Sequence, residues 1–280
     1  MDGGRGRRVA RHAWWRALVP LARSAGSAGS AESARSRESR DPVDPADRPE
    51  ATGQPRAAPD ASKRSGPDVP PWRPHPAAVL AAGWLAGSVP FSNVAARVRA
   101  GVDLREVGTG TVSGTALYGV AGFGPLAVAG LCDVLKGAVG PALAGRDRPE
   151  LAALAAGAAV AGHNWSPWLR GAGGRGMSPA IGALLVRNWP GTTTLAIGLA
   201  AGRLRRATGL GSFVAFLALV PVLRATRGRA GALMGAAVIG PLLAKRLLGN
   251  ERPATGGGRV YLHRLVFDCD PGPQAGSEAR

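Results

Sequence analysis

Residues 76–249 carry only five acidic side chains, Asp103, Glu106, Asp133, Asp147 and Glu150, and their Ala, Gly, Leu and Val runs recur without a polar face. A helix that is apolar all round needs lipid or protein on every side. That requirement excludes most soluble folds and points to an all-α, polytopic transmembrane helical bundle. The candidate spans are 77–98, 114–131, 151–168, 177–188, 189–202, 210–223 and 230–248, so about seven crossings are expected, some of them short or re-entrant because a full crossing needs roughly 20 residues. The 42 glycines suit such a bundle, since small residues let helix backbones approach where the solvent supplies little hydrophobic drive. A soluble helical protein with buried helices is the rival, and it lacks a source for its polar outer surface.

The rest of the chain divides around this region. Residues 1–75 form an Arg-, Pro- and Ser-rich extension expected to be disordered, because between Ser24 and Arg73 there is no apolar run to offset the entropy of ordering it. Within it, residues 9–21 hold Trp14, Trp15, Leu18 and Leu21 among arginines, a pattern of a solvated tail, a short interfacial helix or the start of a targeting signal. No Met follows Met1 until Met177, so Val69 or Val79 is a candidate alternative start. Residues 76–252 make the membrane domain and 253–280 a C-terminal tail. The two cysteines, Cys132 and Cys269, rule out a disulfide scaffold and a Cys-rich zinc site. A net charge of +17 invites a nucleic-acid reading. The arginines, however, punctuate apolar helices and do not line a stripe with aromatic platforms, and no nucleic-acid partner is expected. They cluster near 97–105, 170–175, 203–206, 224–229 and 245–252, outside the spans, where a positive-inside bias would put most of them in the cytoplasm.

Four polar or glycine-rich islands interrupt the apolar background. GSVPFSN, at 87–93, places Ser88, Pro90, Ser92 and Asn93 inside the first span, and irregular backbone at that depth is tolerated only against protein or a water-filled cavity. VGTGTVSGTALY, at 107–118, sets Gly108, Thr109, Gly110 and Gly114 before a helix, a turn suited to offering N–H groups and hydroxyls to an anion. CDVLKG, at 132–137, spaces Asp133 and Lys136 one turn apart; an ion pair satisfies them structurally, and a polar pathway or site uses them functionally. GHNWSPWLRGAGGRGMSP, at 162–179, follows His163 with Trp165 and Trp168 and then with Arg170, Gly171, Gly173, Gly174, Arg175 and Gly176. Such a loop can wrap a phosphate, using close backbone approach, the next helix N-terminus and charge-assisted bonds. The G-x-x-x-x-G-K-[ST] pattern of nucleotide hydrolases is missing.

In this order the islands resemble the bacterial acyl-phosphate:glycerol-3-phosphate acyltransferase family. Gly87, Ser88 and Pro90 match its G-S-I-P element; Gly108, Gly110 and Thr115 match parts of its glycine turn; Asp133, Lys136 and Gly137 match its D-x-x-K-G; Gly162, His163, Gly173, Gly174 and Gly176 match its G-H and glycine-loop elements. Thr109 stands at the family serine, Thr111 and Ala116 at two asparagines, Gly119 at an arginine, and Ala172 and Arg175 at the loop lysines. Arg246, Leu247 and Glu251 echo the closing motif with one residue fewer, and the family His and Asn fall near Gly240 and Leu243. The resemblance implies a multi-pass enzyme of the bacterial inner membrane. It would transfer a fatty acyl group from acyl phosphate to the 1-hydroxyl of glycerol 3-phosphate, beside membrane lipid and without a cofactor or metal. It casts Thr109, Lys136 and His163 as catalytic, Gly108, Gly110, Gly171, Gly173, Gly174, Arg175 and Gly176 as phosphate-binding, and Ser88, Asp133 and Glu251 as supporting. The alternative is a diverged, non-catalytic membrane protein that keeps the loops for binding. The H-x-x-x-x-D box of other acyltransferases is absent at His163, where the fifth residue on is Trp168.

Overall fold

The computed structural model describes residues 73–251, 253 and 257–270, and the expectations for residues 1–72 lie outside them. Every regular element among the described residues is helical, and the first obeys its proline grammar. Helix α1 spans Pro76–Ser88, with Pro76 in the first turn, where its missing N–H costs nothing, and the His75 ring accepting from Ala77 N. Pro90 supplies no amide to continue the ladder, so the chain breaks at Val89 and restarts as α2, Phe91–Ala100. A single 3-10 turn at Leu104–Glu106 leads into the second island, and its first amide donates to Asn93 Oδ1 at 2.8 Å. Helix α3, Gly114–Ala121, is capped by Ser113, whose Oγ accepts from Ala116 N.

The expected span 114–131 is two helices. Gly122, at φ 80°, separates α3 from α4, Phe123–Ala144. Nor does the apolar run end at Leu131, because α4 continues through the third island, so Asp133 and Lys136 sit within it and not near its end. Their mutual ion pair, one turn apart, lets the helix carry both charges without breaking. Helices α5, Pro149–Asn164, α6, Met177–Arg187, and α7, Trp189–Leu204, follow. The expected spans 210–223 and 230–248 are both present: α8, Thr208–Leu248, is two helical segments, 208–227 and 229–248, that fold back on each other at a kink at Gly228, with φ 65° and ψ −150°, so that Gly235 packs on Val220 and Arg246 reaches Gly209 O. Lys245 and Arg246, read from the sequence as charges outside the spans, lie in the last turn of α8 and are 1% and 4% exposed. Their heads are taken up by polar partners, which makes burial tolerable. Beyond residue 252, α9, Gly258–Phe267, packs on α8.

The helices meet at backbone distance. A Cβ added at Gly87 would stand 2.1 Å from Ala159 O, one at Gly137 would stand 2.0 Å from Pro179 O, and one at Gly182 would stand 1.8 Å from Val134 O. These seams join α1 to α5 and α4 to α6, as small-residue packing in membranes requires. A core of Val160, Leu184, Leu195, Leu219, Leu223, Met234, Val238 and Leu242 runs through the bundle, and a smaller cluster around Leu104, Val112 and Leu117 underlies the second island. Facing outward are Phe123, Val128, Leu131, Leu135, Ile197 and Leu217, all more than half exposed. The stretches Pro76–Ala100, Phe123–Ala144 and Thr208–Leu248 are long and apolar enough to cross a membrane.

The bundle has two distinct ends. At one, α4 and α6 finish and α5 and α7 begin, beside the kink of α8. At the other, α5 and α8 finish and α6 begins, and there the glycine islands meet.

Candidate functional site

The break at Val89–Pro90 determines the first half of the site. Because Val89 leaves the helix, its carbonyl is released from the ladder and accepts from Lys136 Nζ at 2.5 Å. Lys136 also pairs with Asp133 Oδ1 at 2.7 Å and lies 5.6 Å from the centre of the Phe91 ring. Ser92, the second residue of α2, donates to Asp133 Oδ2 at 3.0 Å. The His163 ring, at the end of α5, approaches the same carboxylate, with Nδ1 3.9 Å from Asp133 Oδ1. That distance exceeds a hydrogen bond.

Ser88 closes this cluster from α1. Its Oγ donates to Leu85 O and accepts from Trp168 Nε1 at 2.9 Å, and its carbonyl accepts from Ser166 Oγ at 2.7 Å. Together Ser88, Ser92, Asp133, Lys136, His163 and Gly174 border a cavity of about 10 Å³, the space of roughly one water.

The two glycine loops form the second half. Val112 N donates to Gly173 O at 3.1 Å, and Gly174 N donates to His163 O at 3.2 Å. Gly174 is required by contact, since a Cβ there would be 2.2 Å from His163 Nε2 and 2.6 Å from Val112 O. Gly176, at φ 74°, opens α6 as its N-cap against Asn164 Oδ1.

A residue that sequence reasoning missed ties these parts together. Asn250 Nδ2 donates to Gly110 O and to Gly173 O, each at 2.9 Å, while its Oδ1 accepts from Gly173 N at 3.3 Å and from Lys245 Nζ at 2.6 Å. Lys245 is 5.4 Å from the Trp165 ring centre. Asn164, beside His163 in the fourth island and fully buried, donates to Pro241 O at 2.7 Å and so ties α5 to α8. The available signal was a lysine and an asparagine closing an otherwise apolar run, beside the already noted Glu251.

The remaining sequence candidates lie apart from the cavity lining. Thr109 is exposed, and its hydroxyl donates to Thr111 Oγ1 at 3.1 Å. Gly108 and Gly171 shape turns at φ 62° and 82°, with open space where a Cβ would go. Glu251 is exposed, with its Oε1 near Gly110 and its carbonyl accepting from Arg264. Arg175 is paired with Asp268 Oδ1 at 2.8 Å, and Arg246 Nε stands 3.7 Å from the same oxygen. Burial raises the Asp268 carboxyl above the usual range, against the opposing pull of Arg175 and Arg246. In the loop after α2 the effect is reversed: hydrogen bonds from Arg105, with Arg97 assisting, hold Asp103 well below its ordinary value.

Apolar helices with lipid-facing outer surfaces, seams at backbone distance and a buried polar cluster at one end define an all-α integral membrane protein. Residues 77–250 match the family model described as Glycerol-3-phosphate acyltransferase. The chain belongs to that family. A glycerol-3-phosphate acyltransferase of Synechococcus sp. (strain CC9902) is 35% identical over 189 residues, which are 64% of this chain and 94% of the relative. One from Maricaulis maris (strain MCS10) is 32% identical over 202 residues, covering 69% and 93%. In structure the chain is similar to an integral membrane glycerol 3-phosphate acyltransferase solved in its glycerol 3-phosphate form, at a TM-score of 0.52 and 24% identity, over 64% of this chain and 96% of that one. Helix α9, with Asp268 after it, lies beyond the matched stretch.

Proposed function

We propose that this chain transfers a fatty acyl group from acyl phosphate to the 1-hydroxyl of glycerol 3-phosphate, giving lysophosphatidic acid for phospholipid synthesis, as a multi-pass protein of a bacterial inner membrane. The observation that carries this reading is the convergence of His163, Asp133 and Lys136 with two glycine loops clasped by Asn250. Acyl phosphate is already activated, so the reaction needs no covalent nucleophile. It needs a positioned hydroxyl, neutralised phosphates and stabilisation of the charge that develops on the carbonyl and the leaving phosphate.

In this reading Lys136 and Arg175 neutralise phosphate, Arg175 exchanging the Asp268 carboxylate for it. The amides of the loop from Gly171 to Gly176, with Gly108 and Gly110 shaping the facing turn, approach its oxygens. His163, beside Asp133, accepts the proton of the attacking hydroxyl, and Thr109 contributes a hydroxyl at the rim. Ser88 and Glu251 support the two loops.

One observation favours a second reading, binding without turnover: Thr111, Ala116 and Gly119 replace the polar side chains that the resemblance expects. A single experiment separates the two. Membranes containing the full chain are supplied with acyl phosphate and glycerol 3-phosphate, and lysophosphatidic acid is measured. The first reading expects product that depends on both substrates and disappears in Lys136→Met while the variant still inserts. Absence of product above control membranes, with glycerol 3-phosphate still bound, establishes the second.

A further inference from the structure

The opposite end of the bundle holds a cavity of about 410 Å³, bounded by the ends of α4 and α6, the starts of α5 and α7 and the kink of α8. It is separate from the site above, because α5 runs 16 residues from this end to His163 and Asn164, about 24 Å at the rise of an α-helix. Three guanidinium-bearing residues line it, Arg146, Arg187 and Arg227, and no carboxylate does. The adjacent acid, Asp147, is held by Arg73 at 2.8 Å.

The arginines are set for an occupant. Two bonds to Pro141 O, through Nε at 2.9 Å and Nη2 at 2.5 Å, fix Arg187. Arg146 and Arg227 are exposed and have no ion-pair partner among the described residues. Arg227 comes to the cavity because Gly228, at φ 65° and ψ −150°, turns the chain aside at that point. Arg146 repels Arg187, a repulsion that Asp147 offsets only in part, and an entering anion relieves the rest. A second observation is independent of charge: Asn188 is 7% exposed and lines the cavity, yet its side-chain amide makes no hydrogen bond among the described residues. Its amide reaches the open cavity, where it can donate to and accept from an occupant. The rim is apolar, with Leu185 57%, Val186 45% and Trp189 61% exposed. A tryptophan in this setting sits at the level of lipid headgroups.

We propose that this cavity is a binding site for an anionic phospholipid, its phosphate held by Arg146, Arg187 and Arg227 and its acyl chains lying along Leu185, Val186 and Trp189. Guanidinium groups suit the phosphodiester because they donate in pairs to its oxygens. The quaternary ammonium of a zwitterionic headgroup would meet three like charges, so the site selects phosphatidylglycerol over phosphatidylcholine. A basic pocket between transmembrane helices is a recurrent form of headgroup recognition.

The test uses the purified full chain in detergent, with lipid retention read by native mass spectrometry. Phosphatidylglycerol should be retained at least about tenfold over phosphatidylcholine, the scale expected for two or more basic side chains at one headgroup. An Arg146→Ala, Arg227→Ala double variant should lose that preference, and the paired Arg→Lys variant should keep part of it. Inorganic phosphate at millimolar concentration should not displace the lipid, because it gains nothing from the apolar rim. Equal retention of the two lipids by the unaltered chain overturns the proposal, as does displacement by inorganic phosphate or an unchanged preference in a folded double variant. Should the double variant fail to fold, the two measurements on the unaltered chain decide alone.

Discussion

Replacing Asn250 by alanine removes four hydrogen bonds at once, two donated to the carbonyls of Gly110 and Gly173 and two accepted from Gly173 N and Lys245 Nζ. Three are neutral, at about 0.5–1.5 kcal/mol net each, and the one from the lysine is charge-assisted, at about 1.5–3 kcal/mol. Their sum is a ceiling. Asn250 is half-buried, so water enters the gap and restores part of the loss, but Lys245, 1% exposed, is poorly placed to recruit it. The expected net loss is therefore about 2–3 kcal/mol, or a fall in Tm of about 4–12 °C for a chain of this size. The effect on function should exceed the effect on stability, because the bonds hold the two glycine loops in register, and a misplacement of about 1 Å costs on the order of 100-fold. Asn250→Asp keeps the acceptor for Lys245 and discards both donors. It should recover most of the Tm while leaving the KM for glycerol 3-phosphate raised. Melting curves and steady-state acyl transfer on both variants check this. An Asn250→Ala protein with unchanged Tm and unchanged KM would refute the view that this side chain clasps the loops.

Adding a methyl at Gly174 drives a carbon onto His163 Nε2 and Val112 O, so Gly174→Ala should lose on the order of 100-fold in activity while still inserting. Gly108→Ala, where nothing lies within 4 Å, should cost only the backbone strain of about 1–2 kcal/mol, and equal activity losses in the two variants would argue against the contact. The depressed carboxyl of Asp103 contributes stability that is fully present above the ordinary aspartate range near about 4 and is lost as pH falls through its lower folded value. Asp103→Asn should therefore melt below the parent at pH 7 and converge with it in strong acid; a Tm difference that persists unchanged down to the lowest accessible pH would contradict the assignment.

How much of this was legible in the sequence varies with the range of the interaction. The break at Pro90 was readable because a missing N–H is a property of one residue, and the pairing of Asp133 with Lys136 because it spans one helical turn. The membrane bundle followed from a uniform apolar pattern. The end of α4 was misjudged at Leu131 because a charged pair inside a helix looks, residue by residue, like an interruption. Asn250 was invisible for a different reason: its partner Gly110 lies 140 residues away, and no local pattern encodes which carbonyls an amide will meet. Likewise the sequence offered Arg175 as a phosphate ligand, but not that Asp268 from beyond α9 occupies it.

The seams between α1, α4, α5 and α6 also decide how the molecule can deform. Where a backbone already touches a backbone there is no side chain to rotate aside, so α4 and α6 cannot slide past each other at Gly137 and Gly182 without breaking contact altogether. These four helices form a stiff chassis. The compliant parts are the two loops pinned through Asn250, whose hold consists of hydrogen bonds that can open one at a time. A ligand larger than the present cavity must therefore be admitted by unlatching those loops and not by spreading the helices. Entry and exit are thereby mechanically uncoupled from the integrity of the bundle.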